Sequence, residues 1–258
     1  MPEPPGYVPP HGLLDGKTLL VTAAAGAGIG YATARRCLEE GAKVVVSDKH
    51  ERRLAEASDR LSEFGTIACS IPCDVTSEDD VRRLFTDAIA STGGLDVVVN
   101  NAGLGGTREL AEMTDEEWSL VIDVSLNGTF RCTRAALQHM IPRRRGVIVN
   151  LGSILGWRAQ AGQGHYAAAK AAVMALTRAA AMEAAPHGVR VNCVAPSFAE
   201  TPFLSKVVAE ETLQELRSRE AFGRAAEPWE VANVIAFLAS DYSSYMTGEV
   251  VSVSAQHP

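Results

Sequence analysis

What this sequence is short of narrows its role before any motif is read. Its five cysteines, at 37, 69, 73, 132 and 193, form no CxxC pair. An odd, scattered set argues against a disulfide framework or a metal-binding ribbon, and predicts reduced thiols in a cytoplasmic protein, packed as small apolar side chains. Lys and Arg (24) are outnumbered by Asp and Glu (31), for a formal net charge of −7, so the broad basic surface that grips nucleic acid is missing. The one run of three basic residues is Arg143, Arg144 and Arg145. The longest apolar stretch, YAAAKAAVMALTRAAAMEAA, is interrupted by Lys170, Arg178 and Glu183 and is rich in alanine rather than leucine, which excludes a membrane span. The start, MPEPPGYVPPHG, has neither the basic residues nor the apolar run of a secretory signal. Its prolines predict an extended tail over residues 1–12, set apart from a domain at 13–258.

What is present is a core: 47% of the 258 residues are hydrophobic, enough for one large domain. Short β-branched runs recur at 17–22, 42–48, 66–73, 95–100, 146–153, 188–195 and 248–254. Helix signals lie between them. Thr114 with Glu117 three later reads as a capping box, and Pro228 as the first turn of a helix over VANVIAFLAS. The alternation predicts right-handed βαβ crossovers and a single doubly wound α/β domain, a seven-stranded parallel sheet flanked by helices. Ligands of such sheets bind beyond the carboxyl ends of the strands. The loops after Thr22, Asp48, Asp74, Asn100, Ser153 and Pro196 fall on that side, and the arginine run falls on the other.

After the first run comes AAAGAGIG, residues 23–30, leading into a helix that starts near Ile29. Glycines at 26, 28 and 30 let backbone approach a pyrophosphate, and the helix start offers free N–H groups with a positive dipole end. Asp48 closes the second run 20 residues beyond Gly28, where a carboxylate can accept hydrogen bonds from a ribose. Asp74-Val75 and Asn101-Ala102-Gly103 follow the third and fourth runs. Together these predict a bound dinucleotide. Asp48 would repel a 2′-phosphate, which favours NAD, although Lys49, His50, Arg52 and Arg53 offset part of that repulsion and leave NADP possible.

Tyr166 and Lys170 stand four apart in GHYAAAK, one helical turn, so phenol and ammonium share a face. Ser153 precedes the tyrosine by 13 residues. With the glycine turn, Asp74-Val75, NNAG, VAPS and the closing TGE, this order of motifs resembles the short-chain dehydrogenase/reductase family over essentially all of residues 13–254. The resemblance implies a Rossmann-type fold and hydride transfer between nicotinamide and a carbonyl or carbinol carbon. It implies Tyr166 as the acid/base, Lys170 as the cation that lowers the phenol's pKa and bonds the ribose, and Ser153 as the partner of the substrate oxygen. Pro196 and Ala199 fall at its cofactor edge, and Trp157, Arg158 and Gln160 in its substrate loop, although Trp157 could equally pack in the core. A homotetramer or homodimer is the expected assembly.

The chain departs from the family pattern in places. Alanine stands at the first glycine of the motif, and the turn has one extra residue. Ser125, in DVSLNG, holds the position of the catalytic asparagine, so either Ser125 acts with water or the helix is locally distorted; Asn127 would point elsewhere. Pro196-Ser197 replaces PG, and the end reads VSAQHP. Residues 198–224 take the place of the lid, with Phe203, Leu204, Val207, Val208, Leu213 and Leu216 either covering an apolar substrate or packing as an ordinary helix. TAAAGxGIG, NAGLGG, GWRAQ, HYAAAK and FLASDYSSYMTGEV look like a narrower actinobacterial subgroup associated with breakdown of steroid rings C and D. Such a likeness implies a hydroxyl on a bicyclic indane-carboxyl coenzyme A thioester as substrate. The rivals are a 3-oxoacyl thioester reductase, then an alcohol or polyol dehydrogenase, and a silent nucleotide sensor.

Overall fold

Alternation within the strands decides which side chains meet which layer. In the computed structural model, which describes residues 3–201 and 209–255, the first strand β1 (Thr18–Thr22) turns Leu19 and Val21 to one face and Leu20 to the other. The same split recurs in β2 (Lys43–Asp48), with Val44 and Val46 against Val45, and in β4 (Val97–Asn100), with Val97 and Val99 against Val98. Each fully buried Val or Leu contributes about 1.5–3 kcal/mol, so both faces must be roofed.

Helices roof them. On one side lie α1 (Ile29–Glu39) and α8 (Pro228–Ala239), which bring Ala34, Cys37, Leu38, Val231, Ile235 and Leu238 onto the sheet. On the other lie α3 (Glu78–Thr92), α5 (Gly128–Arg143) and α6 (Gly164–Ala184), through Val81, Leu84, Phe85, Cys132, Ala136, Met140, Ala180 and Ala184. With β3 (Ile67–Pro72), β5 (Gly146–Leu151), β6 (Val189–Pro196) and β7 (Val250–Val253), seven strands run parallel in the order β3-β2-β1-β4-β5-β6-β7. The order reverses at β1, which pairs with both β2 and β4, and sheets of this kind bind ligands beyond the carboxyl ends at such a reversal. Among the described residues the remaining α-helices are α2 (Glu51–Leu61), α4 (Asp115–Ile122) and α7 (Glu210–Ser218). Thr114 and Glu117 form both bonds of the capping box, and Pro228 opens α8. None of the described helices is long and apolar enough to cross a membrane.

All five cysteines are free thiols, four of them buried. The arginine run does sit at the far edge, where it serves the structure: Arg144 takes a left-handed turn (φ 54°) and donates to the Pro186 carbonyl at 3.0 Å. Arg145 lies 3.7 Å from Asp96.

The proline-rich segment set aside on composition has no helix or strand over residues 3–12 and is docked on the domain. The Tyr7 hydroxyl donates to Glu39, and its ring meets Trp229 edge-on at 5.5 Å between centroids. Arg36 and Glu40, both buried and paired, are completed by this segment: Arg36 donates to the carbonyls of Val8 and Pro9, while Glu40 accepts from the backbone of His11 and Leu13.

Candidate active site

At the nucleotide end, β1 hands over to α1 through a turn that the missing glycine reshapes. Ala23 adopts φ 51°, the left-handed region that costs a residue with a Cβ about 1–2 kcal/mol. Asn101 holds it there. Its side-chain amide donates to the carbonyls of Thr22 and Ala23 at 3.1 Å each, and its own N–H, like that of Ala102, donates to Thr22 Oγ1. Gly30 is obligatory beneath this lock, since a Cβ there would stand 2.3 Å from the Ala23 oxygen and 2.4 Å from Asn101 Nδ2. Gly28 is the N-cap of α1, which has neither a side-chain cap nor an acidic residue in its first turn. Gly26 (φ 97°) has nothing within 4 Å of where its Cβ would be. The first turn of α1 therefore presents uncapped N–H groups in an open, glycine-lined cradle, a fit for a pyrophosphate.

Asp48 ends β2 beside this turn. Burial raises its carboxyl, against Arg53, the Ala25 N–H and Lys49, which pull it down. Its Oδ1 also accepts from the His50 N–H at 3.0 Å. Asp74 carries the opposite shift: burial raises it, but hydrogen bonds from the backbone and hydroxyl of Thr76 and the charges of Lys49 and Arg131 outweigh that, and it lies low. Val75 is buried against Gly128, where a Cβ would meet its Cγ2 at 2.6 Å. Pro196 closes β6, and Ala199 bridges to Ala226 beyond it. Among the described residues, no cluster of His, Cys, Asp or Glu is suited to a metal.

At the chemistry end, β5 delivers Ser153 and α6 delivers Tyr166 and Lys170 to one place. Ser153 is buried, takes an extended backbone and accepts the Leu155 N–H at 3.2 Å. Lys170 is only 1% exposed. Its Nζ donates to the Leu151 carbonyl at 2.6 Å and lies 5.5 Å from the centroid of the Tyr166 ring. Burial holds the ammonium down to about 8, with Cys193 opposing. The expectation that Lys170 lowers the phenol is not met. Burial raises the Tyr166 phenol, only a hydrogen bond with Ser153 opposes it, and the lysine ammonium directs one of its three N–H groups at a backbone carbonyl.

Ser125 sits where the helix is distorted: α4 passes into α5 through a π-helical turn, Asp123–Asn127. Its buried hydroxyl accepts from the Leu104 N–H and donates to the Leu104 carbonyl, both at 2.9 Å, so its one proton is committed to the loop after β4. Asn127 points away, to Asp123 at 3.1 Å. Sequence reasoning placed Gly103 of that loop at the cofactor and NAGLGG among the subgroup motifs, but not the loop's approach to the tyrosine ring. A Cβ on Gly103 would stand 3.3 Å from Lys170 Nζ, and one on Gly105 would stand 3.5 Å from the Tyr166 ring.

Trp157 is 52% exposed at the end of a short 3-10 turn, so it does not pack in the core. Arg158 is half-buried beside it, and exposed Gln160 accepts from the Gln163 N–H at 3.2 Å. In the lid segment Leu213 is buried and Leu216 partly so. Phe203, Leu204, Val207 and Val208 lie outside the described residues.

Residues 23–255 match the family model described as enoyl-(acyl carrier protein) reductase. The chain is 60% identical over 256 residues, 98% of each protein, to the (5R,7aS)-5-hydroxy-7a-methyl-1-oxo-2,3,5,6,7,7a-hexahydro-1H-indene-carboxyl-CoA reductase of Mycobacterium tuberculosis. It is 39% identical to the 3-oxoacyl-[acyl-carrier-protein] reductase FabG of Thermotoga maritima, covering 93% of this chain and 97% of that one. A crystal structure of a short chain dehydrogenase from Mycobacterium smegmatis superposes with a TM-score of 0.88 at 56% identity, covering 99% of both chains. With this match, these identities and this superposition, the chain belongs to the short-chain dehydrogenase/reductase family of oxidoreductases.

Proposed function

We propose that this protein interconverts a secondary alcohol and a ketone with NAD as hydride carrier, on a bicyclic, steroid-derived hydroxyacyl-CoA thioester. The convergence of Ser153, Tyr166 and Lys170 beside the cradle at Gly26, Gly28 and Gly30 carries the chemistry. The substrate class is supported by 60% identity to the indene-carboxyl-CoA reductase across 98% of both chains.

Nicotinamide, when bound, supplies or accepts the hydride. Burial keeps the Tyr166 phenol protonated at neutral pH, the state in which it gives a proton to the oxygen that becomes negative during carbonyl reduction. Ser153, hydrogen-bonded to that phenol, holds the same oxygen. The Lys170 ammonium, held by the Leu151 carbonyl through one N–H, has two more with which it would bond the nicotinamide ribose. Ser125 keeps the Leu104 loop against both. Asp48, with Gly28, Ile29 and Gly30 nearby, receives the adenosine ribose and repels a 2′-phosphate; Asp74, Val75, Asn101, Ala102, Gly103, Pro196 and Ala199 complete the cofactor edge. Lys49 and Arg53 temper that repulsion, so NADP is the second carrier to test. Trp157, Arg158 and Gln160 border the substrate entrance. An apolar strip around a groove between α5 and α6, with Phe130, Leu137, Ile141 and Leu176, supports a homodimer or homotetramer.

The test is a kinetic screen with NAD and NADP against the bicyclic thioester, 3-oxoacyl thioesters and simple alcohols. A kcat/KM for the bicyclic thioester at least about tenfold above the rest supports the reading. Preference for 3-oxoacyl thioesters transfers the chain to the reductase alternative that its likeness to FabG favours. NADH binding without turnover of any of them makes it a nucleotide sensor.

A further inference from the structure

The catalytic helix α6 begins without help from its N-cap: Gln163 makes no side-chain cap bond. The first turn of a helix has orphan N–H donors and frays unless they are satisfied. Here the Tyr166 N–H donates to Nδ1 of the preceding side chain, His165, at 2.9 Å. His165 is only 3% exposed. Its other ring nitrogen, Nε2, faces the glycine loop and lies 3.6 Å from where a Cβ on Gly106 would stand. Accepting through Nδ1 puts the ring proton on Nε2. The imidazole is therefore wedged between the helix start and the loop that covers the tyrosine ring. That loop is also tied to the helix entry just before the wedge, by the Arg108 N–H to the Gly162 carbonyl at 2.9 Å and by Gln163 Nε2 to Thr107 Oγ1 at 3.1 Å.

We propose that His165 is a positioning residue for Tyr166, acting through the Nδ1 acceptor that closes the first turn of α6 on the tyrosine's own backbone. The phenol works at the end of a long lever whose pivot is that backbone. A displacement of about 1 Å at the reacting oxygen can cost about 100-fold in rate, so a frayed pivot is felt in kcat. The nucleotide cradle is built from β1, α1 and Asn101, and His165 has no part in it. This role rests on Tyr166 being the acid/base of the proposed reaction.

Two substitutions separate the acceptor from the bulk of the ring. His165→Asn keeps an acceptor atom near the position of Nδ1; His165→Leu keeps a similar volume and has none. For His165→Leu the expected result is a kcat about 10- to 100-fold below wild type, with KM for the nucleotide unchanged and fast amide hydrogen exchange at Tyr166. For His165→Asn both kcat and protection of the Tyr166 amide return close to wild type. The exchange measurement needs neither substrate nor nucleotide, so it stands even if the proposed reaction fails for lack of turnover by wild type. Wild-type protection and kcat in His165→Leu would overturn the inference, as would equal losses in both variants.

Discussion

Lys170 and Tyr166 face each other on one side of α6, the ammonium nitrogen 5.5 Å from the centroid of the phenol ring and bonded at 2.6 Å to the carbonyl of Leu151. The lysine thus lies over the ring's face while one of its three N–H groups is anchored on β5. This geometry leaves the phenol hydroxyl with Ser153 as its partner, and it separates what each residue contributes.

Replacing Tyr166 with Phe removes the proton proposed for delivery to the substrate oxygen and keeps the buried ring. The expected result is a loss of about 100- to 10,000-fold in kcat with NADH affinity unchanged. Steady-state kinetics and a fluorescence titration of NADH measure the two, and retention of wild-type turnover would remove Tyr166 from the chemistry.

Burial lowers Lys170 to about 8 from an ordinary 10.5. That weighs about 3 kcal/mol against the charged form. Between pH 8 and 10.5 the unfolded chain binds more protons here than the folded one, so the cost is fully present below pH 8 and fades as pH rises through the window. Lys170→Met should accordingly be inactive yet more stable at pH 7, by about 1–3 kcal/mol after allowing about 1 for the lost bond to Leu151. The gain should shrink toward pH 10.5. Urea melts across this range follow it, and a variant less stable than wild type at pH 7 contradicts it.

Ala23 is held at φ 51° by Asn101. Ala23→Gly relieves that strain and should raise stability by up to about 1 kcal/mol. Gly30→Ala drives a methyl group into the Ala23 carbonyl and Asn101 and should cost about 1–3 kcal/mol along with cofactor affinity. Thermal melts with and without NADH distinguish the two.

Asp48→Ala removes the acceptor proposed for the ribose and the charge that repels a 2′-phosphate, with Lys49 and Arg53 left behind. Efficiency with NAD should fall about 10- to 100-fold while that with NADP rises. Unchanged ratios of kcat/KM for the two cofactors would place the selectivity elsewhere.

The seven strands were readable because parallel, doubly covered strands write themselves as β-branched runs, and the caps at Thr114 and Pro228 because capping is local. The glycine turn was readable as a cradle. That Ala23 would carry its left-handed corner was not, because the compensating lock comes from Asn101, a distant residue in sequence. The distorted helix was foreshadowed by serine in place of asparagine at 125, yet the commitment of its hydroxyl to Leu104 depends on a loop whose path no periodicity records. The direction of the Tyr166 shift was misjudged for a related reason. A four-residue spacing shows that two groups share a face and says nothing of how deeply both are buried.

The docked proline segment matters to anyone who shortens this chain. Cutting after His11 would strip the Val8, Pro9 and His11 backbone groups from Arg36 and Glu40, leaving the pair with each other and the Leu13 N–H, at about 1–3 kcal/mol for each partner lost. A clone trimmed there for crystallisation should then melt at a lower temperature than the full chain.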